Sequence, residues 1–283
     1  MKIGIFYFTG TGNTAFIAEI LKGEFGAENP TEIFNIEFFP DGIKHEQLEP
    51  FELLVFGAPI YAFNAPKLFI QFLHKLPKTK GKRAFLFLNA GGDALAGLEY
   101  PASILRKKDY NLTNQAVFLM PSNVLVENKN LATGEIILNL FGLKYKQNIH
   151  QMAEKCRTQI KEVVNQILKG EPTLVHVNSA ARLVTFLCRP MFFYLGCPTF
   201  EWFVNADKEC TLCNICVKGC PVGNIRIEGG KVKFGSACNM CYRCINICPK
   251  QAIRYRFPFG FLDNKEQYTV PDWKPPQHNR CTK

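Results

Sequence analysis

The sequence predicts an α/β fold with a doubly wound five-stranded parallel sheet, followed by a small α+β domain that is rich in cysteine. Two observations lead to this prediction. The first 170 residues alternate short apolar runs with longer segments of helical periodicity, which is the pattern of βαβ units. Eight of the 12 cysteines lie between positions 210 and 248. A chain of 283 residues is long enough to form two domains of ordinary size.

The strands are placed at short runs of apolar, β-branched and aromatic residues. They fall near residues 2–8, 32–38, 52–58, 83–89 and 115–120. Helices are predicted near residues 13–25, 66–75, 97–108 and 149–168, and Gly170 ends the last of them. We therefore expect a first domain at residues 1–172, a connector at 173–205, a cysteine domain at 206–257 and a tail at 258–283.

The connector contains an apolar stretch at residues 183–204 that is rich in aromatic residues. Arg189-Pro190, Gly196, Pro198 and Glu201 interrupt it, so its unbroken apolar length is below the roughly 20 residues that a membrane-spanning helix needs. We interpret it as a segment packed between the domains and predict no transmembrane segment. A role at a membrane surface is the alternative.

The first residues of the sequence help to predict the cellular compartment. Met1-Lys2 leads directly into the first strand pattern, without the regions of a signal peptide. We therefore expect the reducing cytoplasm, where clustered cysteines bind metal more often than they pair as disulfides.

The clustered cysteines form two copies of one motif. Cys210, Cys213, Cys216 and Cys220 precede Pro221, and the same C-x2-C-x2-C-x3-C-P pattern returns 28 residues later at Cys238, Cys241, Cys244 and Cys248, before Pro249. Three cysteines at successive spacings of three can wrap one cube of iron and sulfide, while the fourth points to a second site. The pattern indicates two [4Fe-4S] clusters. A zinc ribbon is the alternative, but zinc is usually held by two separated pairs of ligands.

In both motifs the sequence resembles the two-cluster bacterial ferredoxins. The resemblance implies crossed ligation, with one cluster on Cys210, Cys213, Cys216 and Cys248 and the other on Cys238, Cys241, Cys244 and Cys220. Between the motifs, residues 225–232 have the pattern of a hairpin that turns at Gly229-Gly230.

A loop rich in glycine and threonine follows the first predicted strand and precedes the first helix. Its residues are Thr9, Gly10, Thr11, Gly12, Asn13 and Thr14. A helix N-terminus offers free N–H groups and the positive end of the helix dipole, so this loop is suited to an anion. Gly10, Gly12 and Ala15 also satisfy G-x-G-x-x-A, which leaves a dinucleotide site as an alternative. A P-loop is excluded because no lysine follows the second glycine.

The threonines match the T/S-x-T-G-x-T loop of flavodoxins, and the resemblance to that family covers roughly residues 1–170. It implies that the loop binds the phosphate of FMN. Two later loops at strand ends agree with it, although for each loop alone an ordinary turn is the alternative. The first of these loops contains Pro59, Ile60, Tyr61 and Ala62. The resemblance implies that Tyr61 lies against the flavin ring, with Phe63 as the alternative. The second loop contains Asn89, Ala90, Gly91 and Gly92, which would lie at the pyrimidine edge of the flavin.

The formal net charge of +10 would suit a nucleic-acid or acidic-membrane partner. Each oxidised [4Fe-4S] cluster with four thiolates contributes about −2 and the FMN phosphate about −2, so the charge of the loaded chain falls to roughly +4. The basic residues are also scattered along the chain. We therefore expect no nucleic-acid partner.

Together the two halves predict an electron-transfer protein that passes single electrons between its clusters and FMN and exchanges them with redox proteins. One alternative is an FMN-dependent reductase of a small organic substrate, with a cavity closed by Phe186, Phe192, Phe193 and Tyr194. Another is a binding module that reads nucleic acid through its basic residues. The motifs identify no catalytic acid or base, and the sequence does not predict an oligomeric state.

Overall fold

The computed structural model describes residues 1–61, 64–123, 148–255 and 267–278. The chain divides into two compact units. The first comprises Met1–Thr9, Asn13–Pro121 and Asn148–Arg189, and the second comprises Gly10–Gly12, Ser122–Gln147 and Pro190–Lys283. Gly10–Gly12, although they follow the first strand directly, thus group with the second unit.

The first unit is built on a sheet of five parallel strands. These are β1 (Ile3–Tyr7), β2 (Thr31–Asn35), β3 (Leu53–Pro59), β4 (Lys82–Ala90) and β5 (Tyr110–Leu119). Their order in the sheet is β2-β1-β3-β4-β5, and every neighbouring pair is parallel. This is the doubly wound, flavodoxin-like order, so the predicted fold class is confirmed.

The helices of this unit are α1 (Asn13–Phe25), α2 (His45–Leu48), α3 (Lys67–Lys75), α4 (Glu99–Lys107), α5 (Ile149–Lys169) and α6 (Ser179–Pro190). Helices α1 and α5 cover one face of the sheet, where Ile3 and Ile5 of β1 are fully buried. On the other face the ring of Phe6 stacks on Phe72 of α3, with ring centroids 6.3 Å apart. Burial on both faces explains why the central strands β1 and β3 are apolar throughout rather than alternating.

Two strands differ from their predicted bounds by more than one residue at an end. β2 ends at Asn35 because the side chain of Asn35 accepts a hydrogen bond from the backbone N–H of Glu37 (3.0 Å) and starts a 3-10 turn. β5 begins at Tyr110, five residues before the predicted start at Gln115. Its polar Asn114 is buried, and its side-chain amide donates to the carbonyl oxygen of Glu171 (2.9 Å).

In the second unit, a π-helical turn (Met191–Gly196), α7 (Cys197–Thr199) and a 3-10 turn (Phe200–Trp202) precede the cysteine motifs. The remaining elements are β6 (Val204–Ala206), α8 (Ile215–Lys218), β7 (Ile225–Glu228), β8 (Lys231–Phe234), α9 (Arg243–Asn246) and β9 (Ile253–Tyr255). β6 pairs with β9, and β7 with β8, both antiparallel. The β7–β8 hairpin is the one predicted, and Gly229 and Gly230 both have positive φ in its turn.

Candidate functional site

Two cavities in the second unit are each lined by four cysteines. Cys210, Cys213, Cys216 and Cys248 line the first, and Cys220, Cys238, Cys241 and Cys244 line the second. Each cavity thus takes three cysteines from one motif and one from the other. Ile215 and Ile253 complete the wall of the first, and Phe200 and Ile225 that of the second. In the described ranges, no three His, Cys, Asp or Glu side chains form a group that could hold a single metal ion.

The backbone of the two motifs repeats with the same 28-residue offset as the cysteines. Residues with positive φ occur in three matched pairs, which are Leu212 and Met240, Asn214 and Tyr242, and Gly223 and Gln251. The short helices α8 and α9 are offset by 28 residues as well. Left-handed backbone turns the chain sharply, which lets successive cysteines face one centre.

Backbone N–H groups donate to several of the cysteine sulfurs. Asn224 donates to Sγ of Cys220 (3.2 Å), and Ala252 donates to Sγ of Cys248 (3.3 Å) at the matching place in the repeat. Met240 donates to Sγ of Cys238 (3.2 Å). Such donors stabilise negative charge on a ligating thiolate and influence the reduction potential of a cluster.

Burial raises the pKa of several of these thiols. The pKa of Cys216 rises to about 12, mainly because the thiol is buried and further because Cys213 and Cys248 lie beside it. Burial, followed by the neighbouring Cys241, also raises the pKa of Cys244 well above its ordinary value. Thiols in such groups stay protonated until a metal or cluster replaces the protons. The donor set and the crowding of the thiols therefore fit an iron–sulfur group.

The loop after β1 provides buried hydroxyl groups at the start of α1. Thr9, Thr11 and Thr14 are at most 2% exposed. The first turn of α1 contains no acidic residue, so the positive end of the helix dipole is not neutralised there by its own side chains. These groups fit the phosphate of FMN, which needs hydroxyl and N–H donors.

Asn89, at the end of β4, joins two of the other predicted flavin loops. Its side-chain oxygen accepts a hydrogen bond from the hydroxyl of Thr14 (2.7 Å). Its carbonyl oxygen accepts one from the N–H of Ile60 (2.7 Å), directly after the end of β3 at Pro59. Ala90 is buried as well, whereas Gly91 and Gly92 are partly exposed. The carboxyl ends of β1, β3 and β4 therefore meet around one asparagine.

The residues predicted to cover the flavin ring are only partly described. Tyr61 is 8% exposed and exchanges two backbone hydrogen bonds with Asn64 (2.7 and 3.0 Å). Ala62 and Phe63 lie outside the described residues. The choice of Tyr61 rather than Phe63 stays a prediction.

The glycines of the β1 loop lie against residues of the C-terminal segment that belong to none of the sequence motifs. The N–H of Val270 donates to the carbonyl oxygen of Thr11 (3.0 Å). Gly12 has φ of +107°, and a Cβ there would lie 2.8 Å from Cβ of Val270 and 2.9 Å from Cγ of Trp273. Glycine is therefore required at position 12 by the close approach of these side chains as well as by its backbone angle. One valine and one tryptophan among prolines and polar residues were the sequence signal for this contact.

Residues 179–202 form a helical run despite the interruptions noted in the sequence. Pro190 has no backbone N–H, and the chain continues after it through the π-helical turn. Phe186 and Tyr194, proposed to close a substrate cavity in the reductase alternative, are 65% and 78% exposed. By length and composition this run is the one segment of the described chain that could cross a membrane, which is weak evidence for a membrane location.

Two family models match this chain. A flavodoxin domain matches residues 4–120, and a 4Fe-4S dicluster domain matches residues 203–249. The search of curated proteins finds no match.

Among solved structures, a flavodoxin of Fusobacterium nucleatum bound to flavin mononucleotide is 18% identical over 60% of this chain and 98% of that chain, with a TM-score of 0.38. A flavodoxin from the Archaea is 13% identical over 59% of this chain and 99% of that chain, with a TM-score of 0.36. The flavodoxin of Streptococcus pneumonia TIGR4 is 11% identical over the same two shares, with a TM-score of 0.38.

The family matches agree with the β2-β1-β3-β4-β5 sheet and with the clustered cysteines. FMN is the cofactor of the first domain, and iron–sulfur that of the second. The chain therefore contains a flavodoxin domain followed by a 4Fe-4S dicluster domain, which matches the order of a flavodoxin–ferredoxin fusion, and both domains serve electron transfer.

Proposed function

We propose that this chain passes single electrons between two [4Fe-4S] clusters and FMN, and exchanges them with redox proteins. The observation that carries the proposal is the pair of four-cysteine cavities, each completed by one cysteine from the opposite motif. FMN exchanges one or two electrons and each cluster exchanges one. Covalent linkage keeps the flavin and the clusters at a high effective concentration for each other.

In this proposal the eight cysteines of the two motifs hold the clusters in crossed sets. The N–H groups of Asn224 and Ala252 donate to Cys220 and Cys248, which are the cysteines contributed across the repeat. They fix the orientation of these two sulfurs and stabilise their charge. Phe200 and Ile225 exclude water from the second cavity.

The flavin half of the proposal assigns the phosphate of FMN to the loop Thr9, Gly10, Thr11, Gly12, Asn13 and Thr14. Asn89 supports this loop by accepting the hydrogen bond of Thr14. Tyr61 covers the ring, and Asn89, Ala90, Gly91 and Gly92 approach its polar edge. FMN, when bound, supplies the change between one-electron and two-electron chemistry.

Anaerobic purification with flavin, iron and acid-labile sulfide assays tests the cofactors. About one FMN, eight iron and eight sulfide per chain are expected from two clusters of four iron atoms. Zinc in place of iron would contradict the cluster half. Iron without any flavin after reconstitution with FMN would contradict the flavin half.

A pair of cysteine variants tests the assignment of ligands. Cys216→Ser removes a sulfur from the first cavity, whereas Cys188→Ser changes a partly buried thiol of α6 that lines neither cavity. We expect Cys216→Ser to lose about half of the iron, since one cluster of two is affected. Cys188→Ser should keep all of it. Equal iron in the two variants would refute the ligand assignment.

The compartment in this proposal is the cytoplasm, because clustered thiols remain available for iron in a reducing environment. The helical run at residues 179–202 makes fractionation of the native host's cells the appropriate test. We expect the chain in the soluble fraction. Recovery in membranes after an alkaline carbonate wash would place it in the bilayer instead.

A further inference from the structure

Residues 267–278, which we call the strap, lie outside both family matches and outside the cysteine and loop motifs. They group with the second unit, as do Gly10–Gly12 of the loop assigned to the FMN phosphate. The strap contains Trp273, one of the two tryptophans of the chain. Its contacts within the second unit connect this loop to the cysteine motifs.

The first residues of the strap are bound to helix α9 and to the cysteine that follows it. The side-chain amide of Gln267 donates to the carbonyl oxygens of Ile245 and Cys248, both at 2.7 Å. The N–H of the buried Tyr268 donates to the side-chain oxygen of Asn246 (2.7 Å). Cys248 lines the first cavity, so this end of the strap is fixed to the backbone of a proposed cluster ligand.

The middle of the strap lies against the phosphate loop. The N–H of Val270 donates to the carbonyl oxygen of Thr11 (3.0 Å), and the N–H of Trp273 donates to the carbonyl oxygen of Val270 (3.1 Å). The ring centroid of Trp273 lies 5.6 Å from the guanidinium carbon of Arg243, whose Nε donates to the carbonyl oxygen of Gly10 (2.9 Å). Two successive carbonyl groups of the loop are therefore held by partners outside it.

The geometry of the peptide group connects these bonds to the proposed phosphate site. In a planar trans peptide the C=O and the following N–H point in opposite directions. Since the carbonyl oxygens of Gly10 and Thr11 accept bonds from one side, the N–H groups of Thr11 and Gly12 point to the other. Backbone N–H groups of such loops are donors for phosphate. Val270 and Trp273 thus act as positioning residues, which orient loop donors from behind.

The last described residues of the strap return to the first cysteine motif. The N–H of the buried His278 donates to the carbonyl oxygen of Lys218 (2.8 Å) in α8. A Cβ at Gly219 would lie 3.9 Å from Cβ of Pro275, so the strap also packs directly before Cys220. The strap is therefore attached to both helices of the repeat, and the residues that hold the loop lie between the two attachments.

We propose that the strap is part of the FMN site and makes the affinity for FMN depend on the clusters. The buried core of the second unit includes Cys216, Cys220 and Cys248, so an iron–sulfur group bound there contributes to its folding. Filled cavities keep α8 and α9 in place, and with them the strap. The loop then needs less ordering when FMN binds. The inference rests on the proposed function, because it needs FMN at this loop and iron–sulfur in the cavities.

The test compares the Kd of FMN for flavin-free, full-length protein with and without its iron. Iron is removed with ferricyanide and a chelator, and anaerobic equilibrium dialysis measures binding without interference from the colour of the clusters. We expect loaded wild type to bind FMN at least about fivefold more tightly than iron-free wild type, which is the lower end of typical coupling between sites. Equal affinity in the two states would overturn the inference without any variant.

Two variants interrupt the strap at different places. Trp273→Ala removes the ring that packs on Gly12, and Gln267→Ala removes both bonds to the α9 side. Each loaded variant should bind FMN about as weakly as iron-free wild type. Removal of iron should then change its affinity less than about twofold, because an interrupted strap no longer couples the sites. Trp202→Ala, which changes a tryptophan that is 74% exposed, is the control and should keep both wild-type affinities.

The outcomes separate this inference from the proposed function. Loaded wild type that binds no FMN would refute the flavin half of the function. Wild-type coupling that persists in both variants would overturn the role of the strap and leave the function standing. Tighter binding of FMN by Trp273→Ala would overturn it too, since the ring would then cover the phosphate site. If Trp273→Ala does not retain its iron, Gln267→Ala and the wild-type comparison decide.

Discussion

Asn89 illustrates how one uncharged residue organises a site made of several loops. It uses its side-chain oxygen for Thr14 and its backbone oxygen for Ile60, so two strand ends are fixed to a third. Asn89 is 4% exposed, and a buried hydrogen bond of this kind is costly to break because the remaining partner loses its bond without gaining water. The precise placement of the groups that we propose as phosphate donors therefore depends on the Thr14–Asn89 pair.

The first residue-scale prediction concerns this pair. Thr14→Val keeps the shape of the side chain but removes the hydroxyl that donates to Asn89. We expect FMN to bind about 5- to 30-fold more weakly, since a lost buried hydrogen bond costs about 1–2 kcal/mol. Titration of flavin-free protein, followed by quenching of FMN fluorescence, measures the change. Thr31→Val, which removes a hydroxyl bonded to the carbonyl oxygen of Asn29, is the control and should bind as wild type.

The second residue-scale prediction concerns Cys156 on the buried face of α5. Burial raises the pKa of this thiol to about 12 from an ordinary value of 9.0, so at pH 8 it is protonated in the folded chain. Because the thiolate is the reactive form, iodoacetamide should leave Cys156 unlabelled while it labels the partly buried Cys188. Mass spectrometry of peptides from native and denatured samples reads this out. Labelling of native Cys156 at pH 8 would show that α5 is not packed as described.

The raised pKa of Cys156 also determines how the free energy of unfolding changes with pH. An unfolded thiol ionises above about pH 9, whereas the folded one resists ionisation up to about pH 12. Proton loss therefore favours the unfolded chain as the pH rises through this window, and Cys156 makes folding less favourable there.

At the scale of elements, the sequence predicted the bounds of those helices and strands that are set by neighbouring residues. Helix α1 has its predicted bounds, Asn13–Phe25, because its apolar spacing and the following Gly26 are local signals. The start of β5 was not predictable in this way, since the buried Asn114 is satisfied by Glu171 and Thr173, 57 and 59 residues away. Val270 and Trp273 stood out in the tail as apolar residues, but their partner in the β1 loop was hidden for the same reason. The cysteine motifs are an exception, because their spacing itself encodes a long-range arrangement.

The packing of β3 on β4 gives an element-scale prediction. A Cβ at Gly57 of β3 would overlap the ring of Phe87 of β4, whereas a Cβ at Gly23 of α1 would meet nothing within 4 Å. We expect Gly57→Ala to lower the free energy of unfolding by about 1–3 kcal/mol through overpacking. Gly23→Ala should raise it by about 0.5–1 kcal/mol, because alanine favours the helix. Guanidinium denaturation measures both.

A double variant tests whether the ring of Phe87 causes the loss of stability in Gly57→Ala. Gly57→Ala combined with Phe87→Leu should recover part of the lost stability if the overlap with the ring is the cause. A double variant no more stable than the sum of its single changes would show that Gly57 is needed for its backbone instead.

Within the part of the chain that the structure describes, the cores of the two units contain different kinds of residue. The first unit buries aliphatic and aromatic side chains around its sheet. The second counts the cysteines Cys216, Cys220 and Cys248 among its buried core residues. Binding of an iron–sulfur group therefore contributes directly to the folding of the second unit.

This difference predicts an unequal response to loss of iron. Bleaching with ferricyanide and a chelator should make residues 203–255 sensitive to limited proteolysis, while residues 13–121 stay resistant. Mass mapping of the fragments locates the cuts, and chelator without oxidant is the control. Equal protection of both segments after complete loss of iron would mean that the second core is stable without its cofactor.

The crossed cavities also suggest how such a domain could have arisen. Each half of the 28-residue repeat supplies three cysteines to one cavity and lends its last one to the other. A peptide that carried a single half could complete a four-cysteine cavity only by pairing with a second copy of itself. The domain therefore has the form of a symmetric pair of half-length ancestors joined into one chain. The two copies are not identical, since Ile215 and Arg243 occupy matching positions of the repeat.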